Sequence, residues 1–335
     1  MVTSPAAASL ALPILDPDLA ERLRVRLGAV EEQLEQAIQS EAPFVTEAAR
    51  YLMHAGGKRF RPLLVLLAAE TGNADADGVI TAACVVELTH LASLYHDDVM
   101  DGAELRRGAA SANARWDNLV AILTGDFLFS KSSELTARLG ADAVKIQAET
   151  FTRLVEGQIL ETLGAGDGDP LEHYLRVVAG KTGSLISTSA RYGARFSGAS
   201  LQVEEALTAY GARIGSAFQL SDDILDVASD SDESGKTAGT DLREGVDTLP
   251  VILAKRSAEP ADRRLLELLD SDLTDDALHA EALGLLRRHP AMDEARAYVL
   301  DRAEEARALL TVLPARSPVR EALEAFAEAV AVRSA

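Results

Sequence analysis

Two clusters of aspartates have the residue type and spacing to bind divalent metal ions. The first, Asp97, Asp98 and Asp101, ends the apolar stretch ELTHLASLYHDDVMD, with the first and last members four residues apart. In a helix this spacing places the carboxylates at one end and on one broad face. Two like charges about 4 Å apart repel each other by roughly 4 kcal/mol at an effective dielectric of about 20. A cation relieves that repulsion, and Mg²⁺ prefers carboxylate and phosphate oxygens.

The second cluster repeats this pattern in FQLSDDILD. Asp222, Asp223 and Asp226 have the same spacing, and Gln219 extends the set to i, i+3, i+4 and i+7, one stripe of a helix. One such cluster alone is equally well explained as a solvated helix end. Two clusters in apolar helices, more than a hundred residues apart, predict carboxylates that hold several Mg²⁺ ions around one diphosphate.

Basic residues stand near these aspartates, in a chain whose net charge is −20. That charge repels nucleic acids at long range and argues against a nucleic-acid-binding role. Arginine forks bind phosphate oxygens in a bidentate manner, and lysine supplies a compact positive charge. The residues expected to do so lie in short loop segments: Lys58, Arg59 and Arg61 in GGKRFRP, Arg106 and Arg107 in RRG, Lys181 in GKTGS, and Lys236 in GKTAGTD.

Other sites that these residue types form in proteins do not fit the spacing. AGGKRF and ESGKT lack the glycine spacing or the preceding strand of a P-loop, so an NTPase is not indicated. His54, His90 and His96 lack a zinc-binding spacing. The single cysteine, Cys84, has no partner for an intrachain disulfide and no activating base nearby, so we expect a small buried core residue.

Long helices are predicted to position the charged residues. Hydrophobic residues make up 47% of the chain and aromatic residues only 4%, a balance that favours helices over strands. Helical periodicity begins near Asp18 and is interrupted at residues 55–58, 71–78, 101–108, 164–170, 197–200 and 229–240; several of the segments between these breaks are about 12 to 28 residues long. This pattern predicts an all-α, single-domain bundle of long antiparallel helices around a central active-site cavity.

The chain is expected to consist of a lead-in and one domain. Residues 1–17 contain three prolines and little periodicity, which indicates a flexible lead-in, and residues 18–335 show no clear linker. The N-terminus lacks the basic region of a secretory signal, and the run LLVLLAA is far shorter than the roughly 20 residues that span a bilayer. We therefore expect a soluble, cytoplasmic protein.

Five ordered motifs resemble those of the trans-polyprenyl diphosphate synthase family: GGKRFRP, HDDVMD followed by RRG, GKT, FQLSDDILD, and GKTAGTDLREGVDTLP. The resemblance covers about residues 45–255 and implies a homodimeric helical bundle with the isoprenoid synthase fold. It also implies a prenyltransferase that condenses isopentenyl diphosphate with geranyl, farnesyl or geranylgeranyl diphosphate. The allylic carbon ionises, the isopentenyl double bond attacks, and a proton leaves; the departing diphosphate is our hypothesis for its acceptor.

The resemblance implies a role for each charged motif. Three Mg²⁺ ions are expected on the six aspartates of both clusters, Asp97, Asp98, Asp101, Asp222, Asp223 and Asp226. Arg106, Lys181 and Lys236 correspond to the family's residues that bind the allylic diphosphate. Lys58, Arg61, His90 and Arg107 correspond to the family's pocket for isopentenyl diphosphate. Thr182 and Gln219 correspond to the residues whose oxygens face the developing carbocation. Val246 departs from the family, which commonly has lysine there, so affinity or metal dependence is expected to differ.

Small residues beneath the first cluster predict a long product. Ser93 lies four residues before Asp97, and Ala92 lies five before it, where short-chain relatives commonly place an aromatic residue. We expect a product from about thirty carbons upward, suited to a quinone side chain, because a pocket without a bulky floor accepts a longer tail. The next residues able to stop the tail are Val85, Val86, Leu88 and Thr89, and a geranylgeranyl product is the alternative.

Two further classes share parts of this pattern. A terpene cyclase has the helical fold and a first aspartate cluster, but normally pairs it with an Asn/Ser/Glu metal triad. A non-catalytic partner subunit of a heteromeric synthase tends to lose aspartates from one cluster, whereas this chain keeps all six. Membrane contact is expected to be at most transient, for product release, because no basic amphipathic helix is evident.

Overall fold

The computed structural model describes residue 10, residues 12–228 and residues 238–333. The predicted all-α class is confirmed, and the strands described within these ranges form one short hairpin, β1 (Leu105–Arg106) with β2 (Ala109–Ala110). The helices in the first part of the chain are α1 Pro17–Ala37, α2 Pro43–His54, α3 Phe60–Ala69, α4 Gly78–Met100, α5 Ala112–Arg115, α6 Asn118–Arg138, α7 Ala141–Leu163, α8 Pro170–Val178, α9 Ser184–Phe196 and α10 Leu201–Ala228.

The helices after the second aspartate cluster are shorter on average. They are α11 Thr240–Arg243, α12 Leu249–Ala254, α13 Arg263–Leu269, α14 Asp276–Leu286, α15 Ala291–Leu309 and α16 Pro318–Arg333, with 3₁₀ turns at Pro260–Asp262 and Leu310–Val312. The predicted breaks at residues 55–58, 101–108 and 197–200 fall between helices, and those at 71–78 and 164–170 overlap the next helix by one residue. Most of the predicted break at 229–240 lies outside the described residues. The stretch 109–163, predicted without a break, is divided among α5, α6 and α7, since Asp117 caps α6 by accepting from the Val120 amide.

The chain forms two compact units. The first contains residues 1–151, 185–211 and 310–323, and its core is built on α4, against which α1, α3 and α6 pack. Every residue of α3 from Pro62 to Ala69 is buried, as is most of α4. The first aspartate cluster therefore stands at the C-terminal end of a long, largely buried helix of this unit.

The second unit contains residues 152–184, 212–309 and 324–335. Its short helix α12 is buried along its whole length and packs against α8 and α15. This unit carries the second aspartate cluster on the last turns of α10. The single domain expected for residues 18–335 stays a prediction, and most of the expected lead-in lies outside the described residues.

One described helix has the length and composition of a membrane-crossing segment. That helix is α4, and 67% of its most apolar window is buried inside the protein. A core helix passes the same test, so composition is weak evidence for a membrane span here. The cytoplasmic location stays a prediction.

Candidate active site

The three carboxylates of the first cluster lie in different environments. Neighbouring residues of a helix point about 100° apart, and accordingly Asp98 is fully buried, Asp97 is half-buried and Asp101, at the end of α4, is exposed. The Nε atom of Arg106 donates to Oδ1 of Asp98 at 2.6 Å, while Oδ2 is buried without a hydrogen-bond partner in the described structure. Burial raises the pKa of the Asp98 carboxyl, and the bond from Arg106 opposes that rise.

The hairpin after α4 returns Arg106 to this cluster. Leu105 pairs with Ala110 and Arg106 with Ala109, and the two residues of the turn, Arg107 and Gly108, have φ angles of 55° and 78°. Positive φ at both positions is the geometry of a type I′ turn, which suits a tight hairpin. The turn places the neighbouring side chains Arg106 and Arg107 on different partners.

Arg107 is held in this conformation by the loop between α2 and α3. Its Nη1 atom donates to the carbonyl of Leu52 at 2.8 Å and also to the carbonyl of Gly56. A Cβ atom on Gly57 would lie 3.0 Å from the guanidinium, and Gly57 has a φ of 139°. Glycine is therefore required there both by the backbone conformation and by the close approach of Arg107.

Arg59 and Glu87 form a buried ion pair beside that loop. Arg59 precedes α3 with a φ of 47°, and its Nη1 atom lies 3.2 Å from Oε1 of Glu87, which is 2% exposed. Arg59 also pairs with Glu31 at 2.5 Å and donates to the carbonyl of Met53 at 2.8 Å. These contacts turn Arg59 into the protein, while Lys58 is exposed.

Three of the four residues predicted to bind isopentenyl diphosphate, Arg61, His90 and Arg107, lie near one another beside Glu87. Burial lowers the pKa of Arg61 to about 10. Attraction to Glu87 opposes this shift, and repulsion by Arg107 adds to it. The buried Nε atom of Arg61 has no hydrogen-bond partner among the described residues. Burial lowers the pKa of His90 well below its usual value, and the positive charges of Arg61 and Arg107 lower it further. Its imidazole is therefore neutral near pH 7. An unmatched positive charge and an unused donor suit a phosphate group.

The second cluster is organised by hydrogen bonds to Asp223. This carboxylate is buried, and it accepts from Nε2 of Gln219 at 2.9 Å and from the hydroxyl of Tyr174. The Thr182 hydroxyl donates to Oε1 of Gln219 at 3.0 Å. Burial raises the pKa of Asp223 to about 6, against the effect of its two donors. Thr182, Gln219 and Asp223, predicted separately from the sequence, thus belong to one hydrogen-bond network.

Asp226 fastens the end of α10 to α11. Its carboxylate accepts from the amides of Thr240 at 3.2 Å and Asp241 at 3.1 Å, and its carbonyl accepts from the Gly239 amide at 2.7 Å. Lys236 lies outside the described residues. Val246, the departure from the family pattern, is exposed after α11.

Lys181 and Thr182 lie in a π-helical turn, Ala179–Gly183, between α8 and α9. Such turns widen a helix and occur frequently at functional sites. The Nζ atom of Lys181 lies 2.5 Å from Oε2 of Glu161 on α7. A Cβ atom on Gly157 would lie 2.5 Å from the Lys181 amide nitrogen, so glycine is needed for α7 to approach the turn.

The two residues predicted to control product length differ in their surroundings. Ala92 is fully buried on α4, and its carbonyl oxygen would lie 3.2 Å from a Cβ atom on Gly125 of α6. Ser93 is half-buried and donates to the His90 carbonyl at 2.8 Å. One turn deeper, Thr89 lies 2.9 Å from Ser132 and accepts from Gln147 at 2.7 Å, which identifies α6 and α7 as the facing helices.

Two residues of these networks were not predicted. Tyr174 contacts Asp223 across 49 residues of sequence, and no spacing rule relates α8 to α10. Glu87 contacts Arg59 across 28 residues. A signal for Glu87 did exist, since a lone carboxylate inside the apolar helix α4 requires a buried partner.

A family model of polyprenyl synthetases matches residues 42–286. The chain belongs to this family. The prediction of a prenyltransferase of the trans-polyprenyl diphosphate synthase type is thereby confirmed.

Several members of the polyprenyl synthetase family resemble the chain along nearly its whole length. A nonaprenyl diphosphate synthase of Mycobacterium tuberculosis is 46% identical over 327 residues, 97% of each chain. The crystal structure of a geranylgeranyl pyrophosphate synthase from Corynebacterium glutamicum has a TM-score of 0.87 at 44% identity and covers 96% of this chain and 98% of its own. A decaprenyl diphosphate synthase from Rhodobacter capsulatus has a TM-score of 0.86 at 34% identity, covering 95% and 99%. The predicted isoprenoid synthase fold is confirmed.

The donor atoms of this family member fit a divalent metal ion. The described residues contain no group of three or more His, Cys, Asp or Glu side chains already placed to hold one. The unpartnered Oδ2 of Asp98 is nevertheless a buried anionic oxygen that lacks a hydrogen-bond donor. Hard cations such as Mg²⁺ and Ca²⁺ take such oxygens, and the C. glutamicum structure is complexed with calcium and isoprenyl diphosphate.

Proposed function

We propose that the protein is a Mg²⁺-dependent synthase that condenses isopentenyl diphosphate with an allylic diphosphate to give a long-chain all-trans polyprenyl diphosphate. The observation that carries this proposal is the cationic region around Arg61 and Arg107, in which a buried guanidinium Nε has no acceptor. A synthase needs a second diphosphate pocket of this kind in addition to its carboxylates, whereas a terpene cyclase does not.

The aspartate clusters are proposed to hold Mg²⁺, with three ions expected per active site. When bound, Mg²⁺ supplies neutralisation of the charge that develops on the leaving diphosphate. Arg106, bonded to Asp98, and Lys181, paired with Glu161, provide fixed positive charges for the same diphosphate. Charges set in place before the reaction stabilise the transition state without reorganisation.

The isopentenyl diphosphate pocket is proposed to consist of Lys58, Arg61, His90 and Arg107. The backbone carbonyls that bind Arg107 and the ion pair of Arg59 with Glu87 position this loop region before substrate arrives. His90, neutral at pH 7, can act as a hydrogen-bond donor. In the second unit, the oxygen atoms of Thr182 and Gln219 are proposed to face the developing carbocation.

A long product is supported by the small residues beneath Asp97 and by the nonaprenyl and decaprenyl synthases among the relatives. Ser93 is small and half-buried, with no aromatic residue in its place. Such a product suits a quinone side chain. The second candidate is a twenty-carbon product, favoured by the resemblance to the C. glutamicum geranylgeranyl synthase. The buried Thr89 and Ser132, with the half-buried Gln147, are then proposed to stop the tail.

A homodimer in the cytoplasm, in at most transient contact with membranes, is also proposed. An exposed apolar patch on the first turns of α6 supports the dimer, since contiguous apolar surface marks interaction sites. Its members, Leu119, Ile122 and Leu123, are spaced i, i+3 and i+4 and so share one face of the helix.

The first experiment is an assay of the purified protein with Mg²⁺, labelled isopentenyl diphosphate and farnesyl diphosphate, followed by chromatographic sizing of the products. A product of about thirty carbons or more is expected, because Ser93 and Ala92 are small. A twenty-carbon product supports the second candidate. The absence of product with geranyl, farnesyl and geranylgeranyl primers contradicts the proposal and favours a non-catalytic partner subunit.

A further inference from the structure

A tyrosine that no motif contains lies directly against the second aspartate cluster. The hydroxyl of Tyr174, on α8, donates a hydrogen bond to Oδ2 of Asp223, on α10. Oδ1 of the same carboxylate accepts from Gln219 at 2.9 Å. Each carboxylate oxygen therefore receives one side-chain donor, and each keeps a lone pair for another contact.

The direction of donation makes the network self-consistent. Thr182 uses its proton on Oε1 of Gln219, which orients the Gln219 amide so that Nε2 faces Asp223. Tyr174 then satisfies the other oxygen of Asp223 from the opposite side of the network. A carboxylate that is buried and held at both oxygens has little freedom to rotate.

We propose that Tyr174 is a positioning residue, which sets the Asp223 carboxylate and the Gln219 amide for binding of the metal and diphosphate. This inference rests on the proposed function. Groups that hydrogen-bond to metal-ligating side chains fix their orientation, and their loss typically costs about 10–100-fold in metal affinity or activity. In this role Tyr174 acts through its hydrogen bond to Asp223.

The test compares Tyr174→Phe with a matched control, Tyr192→Phe. Tyr192 is also a buried tyrosine whose hydroxyl donates to an oxygen, the Ala143 carbonyl at 2.9 Å, but it belongs to the first unit, whereas Asp223 belongs to the second. Binding of Mn²⁺ in the presence of inorganic pyrophosphate is measured by electron paramagnetic resonance for the wild type and for both variants. Tyr174→Phe is expected to weaken Mn²⁺ binding about 10–100-fold, whereas Tyr192→Phe binds as the wild type does.

A kinetic readout separates positioning from general damage. Tyr174→Phe is expected to lower kcat and raise the Mg²⁺ concentration for half-maximal rate, with the KM for isopentenyl diphosphate unchanged. In an Asp223→Asn background, Tyr174→Phe should have almost no additional effect on Mn²⁺ affinity, because residues that act as one unit are not additive. This double-mutant comparison keeps the test valid if Tyr174→Phe also lowers the melting temperature.

The outcomes distinguish this inference from the function on which it rests. Wild-type protein that neither binds Mn²⁺ with pyrophosphate nor makes product contradicts the proposed function. Wild-type protein that does both, with Tyr174→Phe showing unchanged metal affinity, overturns the role of Tyr174 alone. Equal loss of affinity in Tyr174→Phe and Tyr192→Phe also overturns it, since the effect is then one of stability.

Discussion

At the scale of single residues, burial determines which charged side chains must be paired. Glu87 is a carboxylate inside the core, and its charge is compensated by Arg59 at 3.2 Å and by the nearby Arg61 and Arg107. Burial raises the pKa of Glu87, and these arginines oppose that rise. Loss of one partner of such a network leaves charges that neither water nor another side chain stabilises.

Replacement of Glu87 should therefore destabilise the fold strongly. Glu87→Leu leaves the buried guanidinium of Arg61 without the counter-charge of Glu87, for which the expected loss is about 3–5 kcal/mol in the free energy of unfolding. Urea denaturation followed by circular dichroism measures it. Glu31→Leu is the control, because Glu31 also pairs with Arg59 but its side chain is 39% exposed. Equal losses for the two variants would contradict the importance of burial.

Cys84 should be inert in the native protein. It is fully buried, and burial raises the pKa of its thiol, so the reactive thiolate is not formed near neutral pH. We expect no reaction with Ellman's reagent in buffer and release of one equivalent of thiol chromophore in guanidinium chloride. Rapid labelling of the native protein is the result that argues against a core position.

At the scale of elements, close helix contacts position the charged loops. The π-helical turn that carries Lys181 and Thr182 packs against α7 at Gly157, where a Cβ atom would overlap the Lys181 amide. The turn therefore depends on a residue in a different helix. Its geometry belongs to the pair of elements and not to the GKT motif alone.

Gly157→Ala should consequently impair catalysis. The added methyl group displaces the turn, and kcat is expected to fall at least about tenfold, because small misplacements of catalytic groups carry large rate costs. Steady-state kinetics with farnesyl diphosphate measures this. Gly28→Ala on α1 is the control, since its Cβ has open space around it, and it should keep full activity with a slight gain in stability. Unchanged kinetics in Gly157→Ala contradict the role of this contact.

The packing of α4 also bears on product length. Ser93→Phe is expected to shorten the product, since an aromatic ring would occupy the half-buried space beneath Asp97. Ala92→Phe was predicted from the sequence to act likewise, but it places the ring in a fully buried position beside α6, so lower stability should accompany any shortening. Chromatography of products measures both. Wild-type product length in Ser93→Phe contradicts this tail path.

At the scale of the whole molecule, the exposed apolar patch on the first turns of α6 leads to a prediction about assembly. Leu123→Glu should convert the proposed dimer into a monomer, because it buries a charge at the apolar interface. Size-exclusion chromatography with light scattering measures the mass. Val25→Glu on α1 is the matched control, an equally exposed apolar residue at 66% against 56% for Leu123, outside that patch. A monomeric wild type would contradict the proposed dimer.

The amino-acid sequence by itself determined the helical class, the two aspartate clusters, the basic motifs and the family. These features depend on the periodicity and composition of short segments, which a helix preserves locally. The resemblance also predicts a role for Thr182 and Gln219, which the structure joins by a hydrogen bond. The break at Asp117, the hairpin of Arg106 and the π-helical turn at Lys181 were not evident, because each is set by only a few residues.

Only the tertiary structure decided which carboxylates turn inward. Asp97 and Asp98 are equivalent by spacing, yet the packing of α4 buries Asp98 and leaves Asp97 half-buried. The partners Tyr174 of Asp223 and Arg59 of Glu87 lie 49 and 28 residues away, respectively. The orientation of a helix about its own axis and the pairing of distant residues are fixed by packing between elements. Local sequence carries no record of either.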